Sequence, residues 1–142
     1  MALTAQELRQ RIDAAQDIPR EPAVIPEWGI SDQDGLFLKG LSGAERDSFE
    51  KAIIEQKGSS TRVKTEMMRS RLVALSLVDA DDNRIYSDAD IKTLGGKSAV
   101  VLDRLFAKAM TFSGMSADDI EVLAEDFGEG PNGEDGSDSP AI

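Results

Sequence analysis

The chain has 142 residues and a formal charge of −11, from 27 acidic and 16 basic residues, and this length predicts one domain with short appended arms. So negative a chain repels the phosphates of DNA and RNA, which argues against nucleic-acid binding. The sequence contains no Cys and no His, which excludes disulfides, thiol nucleophiles, Cys/His zinc sites and Ser-His-Asp triads.

Neither a secretion signal nor a membrane span is predicted. The chain does not open with a basic segment followed by an apolar run, which is the pattern of a signal peptide. No apolar stretch approaches the roughly 20 residues that cross a bilayer. We therefore expect a soluble intracellular protein with no membrane partner.

Residues 1–18 are predicted to form an N-terminal helical arm. Thr4 is a candidate N-cap, and Glu7 three residues later completes a capping box. The apolar stripe of Leu8, Ile12 and Ala15 is too thin to bury much surface. The arm is therefore either a mobile segment that orders against a partner or a peripheral helix.

A short β-hairpin is predicted in the next segment. Pro19, Pro22 and Pro26 disfavour helix there. The apolar pieces Ala23–Trp28 and Leu36–Leu38 are the two candidate strands. Trp28 is interpreted as a core residue between hairpin and helices rather than as a binding platform.

Two helices are predicted between residues 42 and 77. Ser42 and Glu45 form a second capping box, and the helix that they open should end near Gln56, before Gly58. The next helix should span roughly Arg62 to Leu77 and lie at the centre of the fold. Its pair Met67-Met68 is interpreted as core filling, although paired Met can also mark an adaptable binding surface.

Further capped helices are predicted towards the C-terminus. Ser87 should cap a short helix from Asp88 to Leu94, and Ser98 should open a longer one after Gly95-Gly96. The apolar stripe of the longer helix should pack against the third helix; it consists of Val101, Leu102, Leu105, Phe106, Ala109 and Met110. A last helix should begin after Ser116 and reach about Phe127.

The predicted fold class is mainly α. It is a small domain of about five helices, residues 19–127, with a short N-terminal β-hairpin. Residues 128–142 contain four Gly, two Pro and four acidic residues, too little apolar surface to offset the entropy of ordering, and are predicted to form a disordered acidic tail.

Residues 79–90 are the strongest candidate for a site. Their candidate ligands follow the spacing of an EF-hand calcium loop; they are Asp79, Asp81, Asn83, Ser87 and Asp90. However, Arg84 stands where that loop needs Gly, and Asp90 is shorter than the usual bidentate Glu. An Asp/Asn turn followed by a Ser87 helix cap is the favoured alternative.

No catalytic, cofactor-binding or metal-ligating residue is predicted elsewhere. Gly95-Gly96-Lys97-Ser98 matches the end of a phosphate-binding loop, but Ile91 stands where that motif needs Gly. A helix stop followed by a helix cap is the preferred interpretation. Carboxylate pairs such as Asp118 with Glu121 and Glu125 with Asp126 are interpreted as solvated acid. Without His or Cys only a Ser-Lys arrangement stays formally open, so no enzyme is predicted.

Several short motifs follow one another between Pro22 and Phe127. They are Ile25–Gly29 (IPEWG), Leu41–Glu50 (LSGAERDSFE), Arg71–Asp79 (RLVALSLVD), Asp88–Ile91 (DADI), Lys97–Ala99 (KSA), Leu102–Leu105 (LDRL) and Ser113–Ser116 (SGMS). None is diagnostic alone, but their order and spacing resemble the tail assembly chaperones of long-tailed bacteriophages and prophages.

The resemblance implies a non-enzymatic protein without a cofactor. Such chaperones bind the tape measure protein, keep it soluble and help tail tube protein assemble around it. They act as homo-oligomers in the host cytoplasm, are absent from the mature virion, and often have a longer form made by frameshifting. The matching motifs look like caps and core positions, so the resemblance transfers no site residue. The alternatives are a structural virion component, such as a tail or connector subunit, and a calcium-binding module.

Overall fold

The computed structural model describes residues 1–57, 60–63, 67–116 and 118, with backbone only for 55–57 and 60–63. Within these residues the secondary structure is mainly α, which confirms the predicted class. The helices are α1 (Ala5–Ala14), α2 (Gly43–Ile53), α3 (Met68–Ser76), α4 (Ile91–Leu94) and α5 (Ala99–Phe112), and the strands are β1 (Arg20–Pro22), β2 (Phe37–Lys39), β3 (Ile54–Lys57), β4 (Ser60–Val63) and β5 (Leu77–Val78). The predicted last helix and the tail 128–142 fall outside the described residues.

Side-chain caps define where several helices begin, as predicted. The Thr4 and Ser42 hydroxyls accept the backbone N–H of Glu7 and Glu45, and each Glu carboxylate accepts the N–H of its cap residue. Ser98 Oγ likewise accepts the N–H of Val101 at the start of α5. Each of these contacts satisfies amide groups that a helix N-terminus leaves without partners.

The N-terminal hairpin exists, but one of its strands was assigned wrongly. The strand β2 pairs antiparallel with β1, with Glu21 opposite Leu38, so the partner is not Ala23–Trp28. Instead, Ile25 and Ile30 form an isolated bridge around a 3₁₀ turn at Pro26–Trp28. Pro26 suits the first position of that turn because no N–H is needed there.

The segment between α2 and α3 also differs from the prediction. The helix α2 ends at Ile53 rather than near Gln56, and β3 then pairs with β4, Ile54 lying opposite Val63. The predicted helix start at Arg62 is therefore wrong, since α3 begins at Met68. Gly58, where a helix stop was predicted, lies outside the described residues.

The end of α3 contributes to the sheet. Ser76 is its last residue, and Leu77 and Val78 form β5, which pairs with β2 to give the order β1-β2-β5. Leu77 was expected to be the last residue of the helix. Leu77 and Val78 are both almost completely buried, so the chain leaves the helix without leaving the core.

The core lies where α3 and α5 pack against each other and against α2 and the three-stranded sheet, which confirms the expected pairing of the third and fifth helices. Its largest buried side chains include Phe49, Ile53, Leu72, Leu77 and Leu94. Trp28 is half-buried and packs against this core. Among the described residues, no helix has the length and apolar character needed to traverse a bilayer.

Candidate binding grooves

The acidic turn that follows β5 is organised by Asp79. Its Oδ1 accepts the backbone N–H groups of Asp81 (2.8 Å) and Asn83 (2.9 Å), and its Oδ2 accepts the Asn83 side-chain amide (3.3 Å). The Asn83 N–H is the largest influence that holds the pKa of Asp79 below its ordinary value. This is the geometry of an Asp/Asn turn.

Ser87 and Asp90, two further candidate calcium ligands, are also used within the fold. Ser87 Oγ donates to Asp90 Oδ2 at 2.9 Å in a capping box that opens the 3₁₀ turn Asp88–Asp90. Arg84, at the position that an EF-hand reserves for Gly, donates to the Ala74 carbonyl and to Asp88. The part of the chain that the structure describes contains no group of three His, Cys, Asp or Glu residues arranged to hold a metal ion. The geometry supports the alternative of a turn followed by a cap.

The Gly95–Ser98 segment joins α4 to α5. Gly95 follows the last residue of α4, and its backbone N–H donates to the Ile91 carbonyl at 2.9 Å. Ser98 caps α5. The structure thus agrees with a helix stop followed by a helix cap rather than with a phosphate-binding loop.

An open groove of about 420 Å³ lies beside the acidic turn. We call it the aromatic groove; its apolar lining is Trp28, Ile30, Leu36, Leu77, Ile85 and Tyr86. Asp34, Asp79 and Lys97 also line it. Ile85 is 47% exposed, so apolar surface faces solvent here. Three separate chain segments therefore meet to form one apolar depression with charged groups beside it.

A second open groove, of about 430 Å³, contains Met67 and Met68. We call it the methionine groove. Met67 is 41% exposed and Met68 is half-buried, so the interpretation of this pair as core filling is wrong for Met67. An ion pair joins Arg69 Nε and Asp103 Oδ1 (2.5 Å) beside them. Lys97 lines both grooves, which therefore lie next to each other.

Two ion pairs attach the N-terminal segment to α5. Arg104 donates two hydrogen bonds to the Glu27 carboxylate, at 2.8 and 3.1 Å. These hydrogen bonds are the main reason why the pKa of Glu27 falls from 4.5 to about 2. Lys108 pairs with Glu21 on β1. Both pairs are partly solvated, so they orient the segment more than they stabilise it.

The sequence contained signals for these grooves, but not their location. Trp28 and Met67-Met68 were recognised as possible binding residues and then assigned to the core. Ile85 lies within the predicted acidic turn, where nothing in the sequence indicated a groove. Their exposure depends on which neighbours cover them, and those neighbours lie far away in the chain.

Comparison with known proteins shows what the fold resembles. No protein-family model and no curated protein matches the sequence. A solved structure, the tail assembly chaperone of bacteriophage HK97, matches with a TM-score of 0.50 and 17% sequence identity, over 75% of this chain and 97% of that one. At this identity the likeness establishes the fold: the chain folds as the HK97 tail assembly chaperone does.

Proposed function

We propose that this protein is a non-enzymatic tail assembly chaperone of a long-tailed phage or prophage. It binds the tape measure protein, keeps it soluble, and supports assembly of tail tube protein around it. It does so as a homo-oligomer in the host cytoplasm. The fold shared with the HK97 tail assembly chaperone carries this proposal.

Two further observations support the proposal. The motif series from Pro22 to Phe127 resembles the same family, and it was recognised from residue identities rather than from the fold. The chain also carries a formal charge of −11, and high net charge helps to keep an assembly of a chaperone and an apolar partner in solution.

The methionine groove offers a contact surface for a helical partner. Met side chains are flexible and polarizable, so they adapt to partners of differing shape. A helix binds such a groove through apolar residues spaced three or four apart. Arg69, Lys97 and Asp103 add charges of both signs beside the apolar floor. We assign the first contact with the tape measure protein to this groove.

Co-expression with the tape measure protein of the same genome tests the role. We expect the two proteins to co-purify and the tape measure protein to become more soluble. Met67→Asp should weaken this association. Val24→Asp is the control, since Val24 is also exposed and apolar. It does not line the methionine groove, so this substitution should leave the association unchanged. If the two proteins do not co-purify and the tape measure protein gains no solubility, the proposed function is refuted.

Analysis of purified particles tests whether the protein is a component of the mature virion. A chaperone acts during assembly and leaves, so mass spectrometry of mature virions should not detect this chain. A structural tail or connector subunit would instead be present in stoichiometric amount. Its presence in virions would therefore replace the proposed role with the structural one.

A further inference from the structure

The N-terminal helix α1 buries none of its ten residues. Its apolar side chains Leu8 and Ile12 are 46% and 72% exposed, and Met1, Leu3 and Ile18 in the same arm are exposed as well. Isolated helices of this length are marginal in water. A complete capping box on a helix with an uncovered apolar face indicates a segment that gains its stability from a partner.

The apolar face of α1 has a defined charge pattern. Leu8 and Ile12 are four residues apart and lie on one side of the helix. By the same helical spacing Arg9 and Arg11 flank this side, one on each edge. Gln10 lies on the opposite side. The stripe is therefore bordered by Arg11 on one edge and, on the other, by Arg9, whose Nε pairs with Asp13 Oδ2 at 3.4 Å.

The aromatic groove has matching features. Its lining is mostly apolar and carries two acidic residues, Asp34 and Asp79, which can face an incoming positive charge, together with one basic residue, Lys97. The Asp79 carboxylate is anchored in its turn, so this negative charge has a fixed position. Apolar helix faces bind such grooves through residues at i and i+4.

We infer that α1 of one copy of this chain docks in the aromatic groove of a second copy. Leu8 and Ile12 pack against Ile85 and Tyr86, while Arg11 lies near Asp34 and Asp79. Such a contact uses the arm of one copy and the groove of the other. The first copy keeps its groove free and the second keeps its arm free, so further copies can bind to both. The inference names the interface of the proposed homo-oligomer and rests on the proposed function only for the expectation that copies associate.

The arm does not fill the groove of its own chain in this structure. Residues 15–18 at its base line a pocket with Arg20, Lys39 and Asp82, and α1 itself is exposed throughout. The aromatic groove is open in the same molecule. Within the residues that the structure describes, one chain thus presents both halves of the contact, unpaired.

Cysteine crosslinking tests this contact directly, because the chain has no native Cys. Ile12→Cys and Ile85→Cys chains, purified separately and mixed without any tail protein, should form a disulfide-linked pair on mild oxidation. Ile12→Cys mixed with Ser48→Cys is the control, since Ser48 is exposed on α2 and does not line the groove. A chain that carries both Ile12→Cys and Ile85→Cys should form the disulfide between two chains rather than within one chain.

Solution size gives the second readout. In light scattering of the full chain, Ile12→Asp should raise the dissociation constant of self-association by roughly tenfold or more. Gln10→Asp, with the same new charge on the opposite side of α1, should leave it unchanged. At concentrations where the chain is monomeric, neither variant should alter the melting temperature, because α1 buries nothing within its own chain.

Three results would overturn the inference: a chain that is monomeric at all concentrations, an oligomer equally insensitive to both Asp variants, or a crosslink formed only within one chain. A monomeric chain would also remove the homo-oligomer from the proposed function, but none of the three results bears on binding of the tape measure protein. Conversely, an arm-dependent oligomer that binds no tape measure protein would refute the proposed function and leave this interface intact.

Discussion

Gly40 is the position where one added methyl group should cost most. It is buried in the connection from β2 to α2, against the C-terminal end of α5. In a Gly40→Ala variant the new Cβ would lie 2.2 Å from the Phe112 carbonyl oxygen and 2.7 Å from its carbon. Real Cβ atoms do not approach other atoms so closely. Both neighbours are backbone atoms, so no side-chain rotation relieves the clash.

The expected cost follows from what must move. Either the end of α5 or the β2–α2 connection has to shift, and Leu41 N–H donates to Ser113 Oγ across this junction at 2.9 Å. Overpacking of a well-packed core typically costs about 1–3 kcal/mol, and occasionally more. Because backbone is displaced here, we expect a loss of about 3 kcal/mol in the free energy of unfolding, at the upper end of that range.

Gly43→Ala is the matched control, since it adds the same methyl group. Gly43 is the first residue of α2, and a Cβ there meets nothing within 4 Å. Replacing Gly by Ala at a compatible position stabilises by about 0.4–1 kcal/mol. Urea denaturation followed by circular dichroism should therefore give opposite signs for the two variants. Equal stability of wild type and Gly40→Ala would refute the close approach of this junction.

Three further predictions concern caps, charge and calcium. Ser42→Ala should lower the free energy of unfolding by about 1 kcal/mol, because α2 carries core residues, whereas Thr4→Ala should leave it unchanged, because α1 buries none; thermal melts of the two variants check this. The folded-state pKa of Glu27 is depressed from 4.5 to about 2, so its pairing stabilises above pH 4.5 and is lost as the pH falls towards 2. Glu27→Gln should therefore be less stable than wild type at neutral pH, with a difference that shrinks over this window and in high salt; an unchanged difference would contradict the pairing. Millimolar calcium should not raise the melting temperature above that in magnesium at equal ionic strength, because Asp79 already accepts three hydrogen bonds inside its turn.

Local signals in the sequence were sufficient for the helix starts that a side-chain cap defines. Ser42 with Glu45, Ser87 with Asp90, and Ser98 each cap the helical turn that was predicted from them. A cap involves residues only three apart, so its information lies within one short stretch of sequence. The same is true of the stripe that buries α5 against α3.

Strand pairing was predicted less well because it depends on distant residues. Leu77 and Val78 continue the apolar run of α3 in sequence, yet they pair with Phe37 and Leu38 of β2. The segment Arg20–Pro22, rich in Pro and charge, became a strand because the same β2 offered it a partner. Neither partner is visible to helical periodicity or local propensity.

The sequence by itself determined the helical class, the capped helix starts, the Asp/Asn turn as the favoured form of residues 79–90, and the resemblance to tail assembly chaperones. Only the tertiary structure decided which apolar residues face solvent. Met67 and Ile85 are apolar residues that the sequence could assign equally to the core, and they lie in grooves because no other segment that the structure describes covers them. The burial of a residue depends on which distant segments folding brings against it. A helix cap depends only on the capping residue and the next helical turn.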